Sequence, residues 1–174
     1  MSTDTIALLD CGADFRGTVW LANTLLAATR NGELTELAPV VERWRTAWRP
    51  QAWSVDRPDR IEGPGGFMLT LTDHMVSVYH VTKWSQFCGA PALREPLRAA
   101  LRAIGRLVGA TRVIYHHELL GAGEGPRIDD VERHLRATFG APSRTFEQLA
   151  AADLWAAGCW YFDDWRSATA APVG

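Results

Sequence analysis

Lysine is almost missing from these 174 residues: Lys83 stands alone among 18 basic side chains, and the other 17 are arginine. Together with abundant alanine, that bias is what a GC-rich bacterial genome produces, so an arginine here carries less functional meaning than usual. An excess of positive charge is also lacking. The formal net charge is −2 with a pI near 6.2, which gives no overall attraction for nucleic acid. Cysteine is sparse: Cys11, Cys88 and Cys159 are odd in number and far apart. Without CxxC or CxxH spacing they exclude a disulfide framework and a zinc knuckle. No window approaches the roughly 20 apolar residues needed to cross a bilayer. The opening "MSTDTIALLDCG" has neither a basic n-region nor an h-region. The expectation is a reduced, cytoplasmic protein with no membrane contact.

Enough apolar material is present for a core. Hydrophobic residues make up 47% of the chain and charged residues 22%, the balance of one globular domain spanning 1–174. Residues 5–10, "TIALLD", read as a buried strand, and Asp14 can cap a helix over 15–30 that Asn31-Gly32 stops. A second helix carries Val40, Val41, Trp44 and Trp48 and ends at Arg49-Pro50. The stretch "SVDRPDRIEGPGG", 54–66, has the composition of a flexible loop. Alternation over 67–83, broken at Asp73-His74, predicts a β-hairpin.

Leu93, Leu97, Leu101, Ile104 and Val108 stripe one face of a helix over 91–108, with Pro91 in its first turn and Gly109 at its end. A strand follows in "TRVIYHHEL", then a "GAGEGP" loop at 121–126, whose three glycines lack the Lys-Ser/Thr of a phosphate loop. Helices over 128–139 and 143–152, a last strand in "GCWYFDDW" and a frayed tail from about 167 complete the order. The fold class is α+β: a small mixed or antiparallel sheet packed by four to five helices.

Chemistry is thinly signalled. In "VSVYHVTKW" (76–84), His80 stands where the alternation asks for an apolar residue. If its strand neighbours the one bearing His116 and Glu118, two imidazoles and a carboxylate could hold zinc or iron. The competing explanation is a buried, backbone-bonded histidine. Lys83, at a strand end, is assigned no catalytic role. Arg94, Arg98, Arg102 and Arg106 form a ridge, read as a solvated face.

Tryptophan and arginine interleave in "ERWRTAWRPQAW", giving Trp44, Arg45, Trp48, Arg49 and Trp53. An aromatic and acidic cluster follows at Trp160, Asp163, Asp164 and Trp165. These types are enriched at interface hot spots. The preferred expectation is a non-catalytic protein-binding protein, immunity or antitoxin-like, that uses those residues and no cofactor. Its partner would be another protein, with a homo-oligomer as a further expectation. The alternative is a small metal-dependent enzyme built on His80, His116 and Glu118.

Overall fold

The structure, a computed structural model, describes residues 3–12, 15–45, 50–120 and 127–166. Its frame is one seven-stranded sheet in the order β2-β3-β4-β5-β1-β6-β7, with every strand pair antiparallel. The strands are β1 (Asp4–Asp10), β2 (Ser54–Arg57), β3 (Arg60–Glu62), β4 (Phe67–Leu71), β5 (Met75–Lys83), β6 (Arg112–His117) and β7 (Tyr161–Asp164). Among the described residues six α-helices accompany them: α1 (Thr18–Arg30), α2 (Ala38–Trp44), α3 (Trp84–Gly89), α4 (Pro91–Val108), α5 (Ile128–Phe139) and α6 (Phe146–Ala151). The protein is therefore α+β with an antiparallel sheet.

Alternation along β1 divides the core in two. Ala7 and Leu9 join Val76, Val78 and Val113 under Leu21 and Leu25 of α1 and Leu97, Leu101 and Ile104 of α4. Leu8 points the other way and packs with Met75 and Ile114 against Ile128, Val131 and Leu135 of α5. Each fully buried Leu or Ile contributes roughly 1.5–3 kcal/mol, and β1 supplies such residues to both layers. Helix α5 covers only part of its face, since Met68, Ser77 and Tyr79 stay half-buried and Thr70 exposed.

Local signals set several boundaries. Pro91 occupies the first turn of α4, and Gly109 closes it in the left-handed conformation (φ 68°, ψ 27°). The chain leaving β1 crosses that end closely: Gly12 N–H donates to the Val108 carbonyl at 2.7 Å, where a side chain on Gly12 would meet Gly109. The hairpin expected over 67–83 forms as β4 and β5, with Phe67 opposite His80 and Leu71 opposite Val76.

Residues 54–66, expected as loop, instead hold β2, β3 and a 3₁₀ turn at Pro64–Gly66. The Pro58-Asp59 pair is the turn of a short hairpin, with Ile61 fully buried as its apolar anchor. Helix α3 is an addition, because the strand ending at Lys83 turns directly into "WSQFCG". Asp14, the 121–126 segment and the tail from 167 lie outside the described residues.

Gly63 sits directly beneath the ring of Trp53, leaving no room for a Cβ. Gly63→Ala is expected to lower the unfolding free energy by about 1–3 kcal/mol through overpacking. Gly89→Ala, which meets open space, should leave the unfolding free energy within about 0.5 kcal/mol of wild type. Equal unfolding free energies for the two variants would contradict the seating of Trp53.

Candidate functional site

Strand β1 lies between the two histidine-bearing strands, so β5 and β6 are not neighbours. Thr5 is opposite both His80 and His117, while Ile6 is opposite both Tyr79 and His116. Directly opposed residues share a face. His80 and His117 consequently point toward the α1/α4 layer and His116 toward the α5 layer. The expected set of His80, His116 and Glu118 does not converge, and Glu118 falls in a separate 3₁₀ turn, Glu118–Leu120. Among the described residues no group of three or more His, Cys, Asp or Glu side chains is placed to hold a metal ion.

Each imidazole is held by the backbone. His80 Nε2 donates to the Gly65 carbonyl at 2.9 Å, and its Nδ1 accepts from the Thr82 amide at 3.1 Å. Both ring nitrogens are occupied in one neutral tautomer. A proton on Nδ1 would face an N–H donor. His116 Nδ1 donates to the His117 carbonyl at 2.8 Å, leaving Nε2 buried without a partner among the described residues. His117 Nε2 donates to the Leu154 carbonyl at 2.7 Å, and its Nδ1 is likewise buried and unpartnered among the described residues. Burial lowers the pKa of all three, to about 4 for His80 and His116.

Lys83 answers to structure. Its ammonium pairs with Asp4 at 2.5 Å, and Asp4 also accepts from the Tyr79 hydroxyl. Burial, followed by that hydrogen bond, pushes the Tyr79 phenol well up, so it is no base near neutrality. Burial pushes the Cys11 and Cys88 thiols up to about 12, and neither is a ready nucleophile.

The expected aromatic surface is largely interior. Trp53 is only 4% exposed, because its indole N–H donates to Thr29 Oγ1 at 3.2 Å and its ring packs on Phe67. Trp160 is fully buried in the α5 layer, with its N–H on the Gly140 carbonyl, and Trp165 is buried against Gly105 of α4. Trp44 is half-buried, edge-on to His80. Arg45 is exposed and paired with Glu42, and Asp164 pairs with Arg166. Trp48 and Arg49 lie outside the described residues.

The arginine ridge is not a uniformly solvated face. Arg94 is buried, bonding the Cys88 carbonyl and lying over the Phe146 ring. Arg98 and Arg102 converge on Asp163, which removes that acid from the expected contact surface. Arg106 reaches Glu36.

One tryptophan missed by the sequence reading does face solvent. Trp155, in the turn between α6 and β7, is 59% exposed. Its ring stands perpendicular to His117 at 5.5 Å and lies 6.4 Å from Phe139. The preceding residue, Leu154, receives the His117 N–H, so the turn carrying Trp155 is pinned to the end of β6. Leu119, two residues beyond His117, is also exposed. Its only mark in the sequence is weak, a lone Trp in "ADLWAAG" with no apolar period around it.

No protein-family model, curated protein or solved structure matches the chain. No helix among the described residues is long and apolar enough to cross a membrane.

The histidines make stability dependent on acid. Their folded-state pKa values lie below the ordinary 6.5, so the fold favours the neutral form. The stability they contribute is fully present above about pH 6.5 and is lost as pH falls toward 4. For His116, which has no water-facing nitrogen, the loss by pH 4 is roughly 3 kcal/mol. His116→Phe should therefore lose less stability than wild type between pH 7 and 4 in denaturant titrations. Parallel pH profiles for the two proteins would show that His116 is not buried neutral.

Proposed function

We propose that this chain is a non-catalytic protein-binding protein, acting as an immunity or antitoxin-like partner, whose contact centres on Trp155. The observation that supports this reading is the contrast among tryptophans: Trp53, Trp84, Trp160 and Trp165 are buried, whereas Trp155 is held outward. A large ring kept exposed costs solvation, yet it gains affinity on contact because little side-chain freedom remains to be lost. Its setting against His117 and Phe139, with the turn fixed at Leu154, provides that preorganisation.

This places the contact elsewhere than the Trp44 to Trp53 stretch and the 160–165 cluster. The metal-dependent alternative has no assembled ligand set among the described residues to support it.

The test is affinity capture with the full chain as bait in extract of its host, followed by titration of the retained protein. Trp155→Ala should weaken binding by about 30-fold, the scale of an interface hot spot, with little change in melting temperature. Val19→Ser, at an exposed apolar residue on α1, should bind as wild type. Unchanged affinity on Trp155→Ala would remove this surface from the reading.

A further inference from the structure

Away from Trp155, a cleft of about 150 Å³ opens between α2, α4 and the end of β5. Its apolar lining arises from an irregularity in α4. By spacing, Leu93 belongs to the core stripe, but Arg94 is buried in its place, bonded to the Cys88 carbonyl at 2.8 Å. Leu93 is left half-exposed on the cleft wall, facing the space shared with Trp44 and the buried Val40 and Leu97.

The cleft also carries distinct polar points. Pro96 has no N–H, so the helical bond that would run to the Ala92 carbonyl is missing, and both residues line the cleft. Thr82 uses its backbone groups on His80 and Thr5, while its hydroxyl makes no hydrogen bond among the described residues. Arg43 borders the opening, exposed and without an ion-pair partner among the described residues.

We infer that this cleft binds a small apolar monocarboxylate, with its body against Leu93, Leu97 and Trp44 and its carboxylate on Arg43. An apolar cavity of about this volume accommodates a benzene-sized group. A guanidinium fork matches a carboxylate in two parallel hydrogen bonds. A single guanidinium beside apolar walls suits one negative charge on an apolar body better than a phosphate, which draws on several donors.

The inference does not depend on the Trp155 reading. It is tested by amide and indole NMR of the full chain titrated at pH 7 with phenylacetate, and with phenylacetamide as an uncharged match. Phenylacetate should shift Trp44, Thr82 and Leu93, with a millimolar Kd. Phenylacetamide should bind about tenfold more weakly. Arg43→Ala, an exposed change that leaves the core intact, should weaken phenylacetate about tenfold and leave phenylacetamide unchanged. Three results would each overturn the assignment: no shifts up to roughly 50 mM, far above the Kd a ligand of this size needs; equal affinity for acid and amide; or shifts centred away from the cleft.

Discussion

Two aspartates fix the strand on which the rest of the molecule is built. Asp4 opens β1 and is gripped from β5 by Lys83 and Tyr79. Asp10 closes it and accepts from the Thr111 and Arg112 amides at 2.7 and 2.9 Å and from the Thr111 hydroxyl at 2.8 Å. One carboxylate thus ties β1 to each neighbouring strand, at opposite ends. Because side chains alternate with period two, a slip of one residue would send Leu8 into the α1/α4 layer and Ala7 and Leu9 into the α5 layer. The aspartates oppose such a slip from both ends. The same register carries His80 and His116 to opposite faces, which is why residues that look like a ligand set in sequence never meet.

Parts of this arrangement were legible from local pattern. The α4 stripe from Leu97 to Val108 with its stop at Gly109, the α5 stripe stopped at Gly140, and the β4–β5 alternation are short-range signals, and each reappears in the structure. Strand order is not short-range. Nothing in "TIALLD" states that it will lie between "VSVYHVTKW" and "TRVIYHHEL", since that follows from which faces the distant helices cover. The 54–66 hairpin was hidden by its composition: β2 is exposed throughout, and β3 shows a single buried residue, Ile61.

Burial of the aromatic and basic residues escaped the sequence for a related reason. Trp53 reads as a loop residue, but the hairpin that follows draws it over α1 until its N–H meets Thr29. Arg94 reads as part of a surface ridge. The carbonyl of Cys88 at the end of α3 and the Phe146 ring of α6 give its guanidinium a polar and an aromatic partner inside the fold. Both partners come from elements that helical spacing on α4 cannot reveal. Burying Arg94 shifts Leu93 off the core stripe, so the cleft beside Trp44 follows from the same substitution of one neighbour for another.

Histidine chemistry and surface presentation are joined at His117. Its Nε2–H holds the Leu154 carbonyl, its ring supports Trp155 edge-on, and a second proton on its buried Nδ1 would find no acceptor among the described residues. A neutral imidazole can fill all three roles. A cationic one would place an unsolvated N–H behind the indole, at a cost of order 1–3 kcal/mol for the unsatisfied donor alone. Burial lowers the His117 pKa, so the imidazole beneath Trp155 is held in its neutral form. The three histidines act in the structure as neutral spacers whose hydrogen bonds fix the chain at Gly65, at the His116–His117 link and at Leu154.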